Sequence, residues 1–126
     1  MDGLHLTADL HGVAPTLAAM HEPAALRTCC LGAVAGAGLQ PVGELFHRFP
    51  AAGGVTGVVL LAESHLAVHT WPELNSVTLD VYVCNYGADN SARAEALLSA
   101  LIAAFEPASV ERHAIERGSE PVASAR

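Results

Sequence analysis

From Val77 to Cys84 apolar and polar residues alternate without a break, with Val77, Leu79, Val81 and Val83 on one side and Thr78, Asp80, Tyr82 and Cys84 on the other. That two-residue period predicts a strand with one buried face, and it makes the Thr78-to-Cys84 side a candidate working surface. Gly3 to His11 repeats the pattern, with Leu4, Leu6, Ala8 and Leu10 against His5, Thr7, Asp9 and His11. Val42 to Phe49 and Ser109 to Ile115 read as further strands. The run Val55-Thr56-Gly57-Val58-Val59-Leu60-Leu61, entered through the turn Pro50 to Gly54, is the most strand-like and is predicted to end at Glu63. A three-to-four residue period replaces the alternation twice. Leu26, Cys30, Ala33, Val34 and Ala37 mark one face of a helix over Ala24 to Ala37, which starts well behind Pro23 and stops at Gly38. Ala94, Leu97, Leu98, Leu101, Ile102 and Phe105 mark a second, opened by Asn90 or Ser91 as cap and closed before Pro107. The order predicts an α+β fold: a two-layer sandwich of a mainly antiparallel sheet with two helices on one face.

At 126 residues the chain is predicted to be one domain over residues 1–118 with a flexible tail at 119–126. An apolar share of 52% against 15% charged residues indicates a globular protein. With only 5% aromatics, its core must be built from Ala, Val and Leu, and an oligomer interface would help so thin a core. No apolar run approaches the ~18 residues of a membrane span, and the N-terminus lacks the basic start and apolar stretch of a signal peptide, so a cytoplasmic protein is expected. The formal charge of -7 disfavours nucleic acid or an anionic membrane as partner and favours a cationic small molecule. All six basic residues are arginine. Without lysine the chain cannot form the internal imine that pyridoxal phosphate enzymes use, so a carbonyl for amine chemistry has to come from elsewhere.

The segment Glu63-Ser64-His65-Leu66-Ala67-Val68-His69-Thr70-Trp71-Pro72-Glu73 places a hydroxyl, two imidazoles and two carboxylates within eleven residues. A serine hydroxyl can attack the carbonyl of the residue before it and turn that peptide bond into an ester, if the turn strains the amide and a base takes protons. His65 and His69 are the bases at hand. Taken singly, Ser64 and His69 also read as ordinary strand and turn residues, Cys84 as a small buried side chain, Phe49 and Trp71 as core, and Asp9 and Glu73 as solvated acids. Cys29 and Cys30 read as helix packing, and neither the cysteines nor the seven histidines show the spacing of a metal site.

In combination, Phe46-His47-Arg48-Phe49, Gly57-Val58-Val59, Glu63-Ser64-His65, His69-Thr70-Trp71-Pro72-Glu73 and Cys84 are far more specific. Together they resemble the processing and active site of the short prokaryotic pyruvoyl-dependent S-adenosylmethionine decarboxylases. The similarity runs from Gly3 to Gly118 and is densest from Phe46 to Cys84. The resemblance implies self-cleavage between Glu63 and Ser64, with residues 1–63 as the β chain and 64–126 as the α chain. Ser64 would become a pyruvoyl cofactor whose ketone takes the substrate amine, with no pyridoxal phosphate and no metal. His69 corresponds to the histidine of self-processing and Cys84 to the proton donor. Phe49 and Trp71 match aromatic positions near the adenine, while Glu73 and Asp9 are acids available for the substrate's positive charge. The product implied is the aminopropyl donor for spermidine, and the assembly a homodimer of αβ units with sites shared across the interface.

The chain departs from that pattern in places. Thr56 stands where a serine often assists cleavage, and keeps the hydroxyl. Asp9 replaces a longer glutamate, and the Pro50-to-Gly54 turn is one residue longer and lacks an aromatic. Two alternatives stay open at this level: a pyruvoyl decarboxylase of ornithine or arginine on the same fold, and an unprocessed relative that only binds a cationic metabolite.

Overall fold

A computed structural model describes residues 2–51 and 53–119. The predicted tail therefore lies outside the described residues from position 120 onward. Six strands, β1 (Gly3–His11), β2 (Pro41–Arg48), β3 (Val55–Leu61), β4 (Ser64–Trp71), β5 (Ser76–Cys84) and β6 (Ser109–Arg117), form one sheet in the order β2-β3-β4-β5-β1-β6. Every neighbouring pair is antiparallel. Helix α1 (Pro23–Gly36) carries the chain from β1 across to the far edge at β2, and α2 (Ser91–Phe105) carries it from β5 to the other edge at β6. The helices touch each other and cover the same face of the sheet, α1 over β2 and β3, α2 over β1 and β5. This is the expected two-layer α+β sandwich.

The alternation read from sequence is what builds the core. Leu6, Ala8, Leu10, Val59, Leu66, Val68, Val77, Leu79, Val81 and Val83 point from the sheet to the helices, and Leu26, Cys30, Val34, Ala94, Leu97, Leu98, Leu101 and Phe105 meet them. Burying a Leu or Val side chain contributes about 1.5–3 kcal/mol, so these small residues suffice collectively where aromatics are scarce. Each helix ends in a left-handed residue: Gly38, at φ +77°, lies just past α1, and Glu106, at φ +47°, follows α2. At Gly57 a side chain would run into Phe46, whose ring lies 2.7 Å from where a Cβ would sit. Only glycine lets the ring lie across β3 there.

The structure revises two local readings and adds one observation. β3 stops at Leu61, not Glu63, because residues 62–63 form the turn into β4. Leu45 is exposed because it alternates with Phe46 onto the uncovered face, and Val42 is exposed at the start of the edge strand β2, beside the irregularity between Pro41 and Gly43. Asn90 occupies the position before α2, yet its side chain does not cap the helix.

Among the described residues no helix lies on the opposite face of the sheet. Inside the core, Thr70 is the buried polar side chain: its Oγ1 donates to the Met20 carbonyl at 2.7 Å and accepts the Val55 amide at 2.8 Å. It ties the loop after β1 to the start of β3 and the end of β4. Replacing Thr70 by Val keeps the shape and strands both backbone partners, and should lower stability by about 1–3 kcal/mol. The midpoint of equilibrium urea unfolding measures it, and an unchanged midpoint would show that the two bonds contribute nothing net.

Candidate active site

β3 and β4 are joined as tightly as a hairpin allows. Leu61 pairs with Ser64, so Ala62 and Glu63 alone make the turn. Glu63 takes the left-handed backbone, φ +53°, which costs an L residue about 1 kcal/mol or more, and it does so immediately before the Glu63–Ser64 peptide bond. β4 and β5 then run antiparallel with His65 opposite Tyr82, which brings the start of β4 beside the end of β5. There the Cys84 amide donates to Ser64 Oγ at 3.1 Å. Cys84 has the parity of the open face but is only 7% exposed, and its sulfur accepts the Tyr86 amide at 3.4 Å. A cleft of about 440 Å³ is lined by Glu63, Tyr82, Cys84 and Tyr86.

One row across the open face continues this end of the sheet. Leu60, His65, Tyr82, His5 and Ile115 sit side by side on five strands. His65 stacks on Tyr82 at 5.7 Å, His5 shares a 3.2 Å contact with Asp80, and the Arg117 guanidinium lies 5.7 Å from the centre of the Tyr82 ring.

The remaining predicted residues gather at the other end. Thr56, His69, Thr78 and Asp9 form a second row across β3, β4, β5 and β1. Thr56 Oγ1 and His69 Nδ1 are 3.0 Å apart, and the His69 ring stacks against Trp71 at 6.3 Å. Phe49 enters the same end through the bond from its amide to the Gly54 carbonyl, its ring edge-on to His47 at 4.8 Å. Asp9 and Trp71 line a hollow of about 290 Å³, and Glu73 is exposed in the single 3-10 turn after Trp71. The structure thus brings Glu63, Ser64 and Cys84 together, and separately Phe49, Thr56, His69, Trp71, Asp9 and Glu73. It does not bring the two groups together within one chain. Five strand residues separate Ser64 from His69, and at about 3.3 Å each they span about 17 Å.

Burial pushes the Cys30 thiol up to about 12, with the neighbouring Cys29 adding to it, so this pair behaves as helix packing and not as reactive thiols. Among the described residues no three His, Cys, Asp or Glu side chains gather as a metal site, and no helix is long and apolar enough to cross a membrane. Sequence reasoning passed over Asn85 and Tyr86 and read Asn90 only as a helix cap. The signal available was their place in the short polar loop directly after Cys84.

The sequence profile of the S-adenosylmethionine decarboxylase family matches residues 4–118. The S-adenosylmethionine decarboxylase proenzyme of Persephonella marina is 37% identical over 120 residues, 95% of this chain and 85% of its own length. That of Archaeoglobus fulgidus is 35% identical over 116 residues, 92% of this chain and 97% of its own. The crystal structure of the adenosylmethionine decarboxylase from Aquifex aeolicus superimposes with a TM-score of 0.83 at 34% identity, over 94% of this chain and 92% of that one.

If the turn is strained as its backbone indicates, Glu63→Gly should relieve it. In a Ser64→Ala chain, the substitution should raise unfolding free energy by about 0.5–1 kcal/mol, because glycine accepts positive φ freely. Loss of stability on denaturant titration would mean that no strain is stored there.

Proposed function

The chain belongs to the S-adenosylmethionine decarboxylase family, and from that premise we propose that it is a self-processing pyruvoyl-dependent S-adenosylmethionine decarboxylase whose two sites are each completed by a second copy. One observation carries the reading: the only serine hydroxyl of the motif follows a left-handed residue and stands 3.1 Å from the amide of the one cysteine that lines the same cleft. A strained amide, an adjacent hydroxyl and a neighbouring thiol are what this chemistry needs.

Ser64 Oγ attacks the Glu63 carbonyl carbon, the peptide C–N bond gives way to an ester, and the turn is released. Elimination then leaves that oxygen with Glu63 as part of a free carboxylate, while the Ser64 nitrogen departs as ammonia and water supplies the oxygen of the ketone. Residues 1–63 and 64–126 remain associated as β and α chains, since β3 and β4 stay paired. The pyruvoyl group supplies an electron sink for loss of carbon dioxide from an α-amino acid, the role a lysine-bound cofactor would otherwise fill. Cys84 holds the proton that is returned to the substrate α carbon. Phe49 and Trp71 offer aromatic surface to adenine, and Glu73 and Asp9 offer carboxylates to the cationic substrate. The product is the aminopropyl donor for spermidine.

The separation of about 17 Å supports a homodimer. His69, oriented by Thr56, is too far from the Ser64 of its own chain to exchange protons with it. The uncovered sheet face carries Leu45 at 74%, Leu60 at 50% and Ile115 at 50% exposure, which a second sheet about 10 Å away would cover. A two-fold axis between the sheets and across the strands reverses the second copy. Its Thr56–His69 end then lies over the Glu63–Ser64 end of the first.

Intact mass should show two fragments, Ser64→Ala one uncut chain, and Cys84→Ala normal cutting without turnover. Normal cutting of Ser64→Ala would contradict the nucleophile, and full activity of Cys84→Ala would remove the proton donor. Carbon dioxide release should occur with S-adenosylmethionine and not with ornithine or arginine. Co-expression of Ser64→Ala with His69→Ala separates shared from self-contained sites. A shared site combines the intact Ser64 of one variant with the intact His69 of the other, so the His69→Ala chain is cut. Two self-contained sites would both stay uncut.

A further inference from the structure

All three polar groups of Cys84 are held, and only one of the holders is the cleavage site. Its amide donates to Ser64 Oγ at 3.1 Å, its sulfur accepts the Tyr86 amide at 3.4 Å, and its carbonyl accepts Asn90 Nδ2 at 2.8 Å. Asn90 is itself fixed twice. Its amide donates to Asn85 Oδ1 at 2.7 Å, and its Oδ1 accepts from Arg93 at 3.0 Å, which points the Nδ2 end at Cys84. The loop closes on the first turn of α2, where Asn85 Nδ2 donates to Ser91 Oγ at 3.1 Å and Asp89 accepts the Ser91 amide at 2.9 Å. That amide, and the Ser91 hydroxyl after it, hold the Asp89 carboxyl below its usual range. The Asn85 amide donates to the Asp2 carbonyl at 2.7 Å, which joins the same loop to the start of β1.

These bonds differ in their fate. Resting on the reading above, the Ser64 hydroxyl leaves with Glu63 during cleavage, so the Cys84 amide loses that acceptor in the mature enzyme. The Asn90 bond survives. We propose that Asn90 is a positioning residue for Cys84, whose side-chain amide holds the cysteine carbonyl and so sets where the thiol stands once cleavage has removed the Ser64 hydroxyl. The Tyr86 amide reaches the sulfur only because the loop is folded back, and the Asn85–Asn90 bond closes that loop. Asn90 does not touch Ser64, so it has no part in cutting. Its effect belongs to turnover alone.

Two substitutions test this in the full, self-processed protein. Asn90→Ala removes the donor. Asn90→Asp keeps the size and the acceptor for Arg93 and also lacks the donor, which guards against a simple packing defect. Both should be cut to completion and melt close to the parent. In both, kcat should fall about five- to tenfold, the worth of one hydrogen bond, with KM within about twofold. The rate at which iodoacetamide alkylates Cys84, followed at its own peptide so that Cys29 and Cys30 do not count, should change by a similar factor. Parental kcat and alkylation in both variants would overturn the proposal. So would a joint loss of cutting, turnover and melting temperature, which marks a structural role, or a raised KM with unaltered alkylation, which marks a substrate contact. An uncut parent chain would instead sink the decarboxylase reading, and the alkylation comparison would still decide whether Asn90 holds the thiol.

Discussion

The hydrogen bond from the Cys84 amide to the Ser64 hydroxyl is the contact on which the site depends, and antiparallel pairing makes it possible. β4 starts where β5 ends, so two residues twenty positions apart meet at one end of the central strands without any dedicated loop. The same pairing has a cost. Whatever lies at the end of β4 is carried to the opposite end, and His69, Trp71 and their neighbours go with it. One register thus assembles half of the chemistry and separates it from the other half.

The second constraint is that both helices cover one face. With α1 and α2 over the Leu and Val side, the other face keeps its histidines, acids and hydroxyls within reach of solvent and of a second sheet. In the proposed dimer, an interface would complete the site as well as cover apolar surface. A single chain that carries both halves at opposite ends of one face needs only a two-fold axis to produce two whole sites.

Strain and hydrogen bonding divide the labour around Ser64. The left-handed Glu63 is held by the hairpin, because Leu61 and Ser64 are already paired and leave two residues for the turn. The loop after Cys84 is held by side-chain amides instead, since the six residues between β5 and α2 have no strand partner of their own. On the proposed mechanism the first device would be spent in cleavage and the second would persist.

By itself the sequence determined five of the six strands and both helices, because burial on one face imposes a period of two or of three to four that any reader can count; β4, read as a reactive segment, emerged only in the structure. It determined the inventory of the site too: Glu63, Ser64, His69 and Cys84 stand in a combination that marks their family, and the absence of lysine requires a carbonyl made by other means. Periodicity carries parity and not position across the sheet, so it put Cys84 on the open face and could not bury it, and it put His69 five residues from Ser64 without revealing that five strand residues are too many. The roles of Asn85 and Asn90 were illegible for a different reason, as their bonds depend on where α2 begins relative to the end of β5. Only the tertiary structure decided which of these side chains share an end of the sheet, because strand order and register, which set those distances, are made by pairing between segments far apart along the chain.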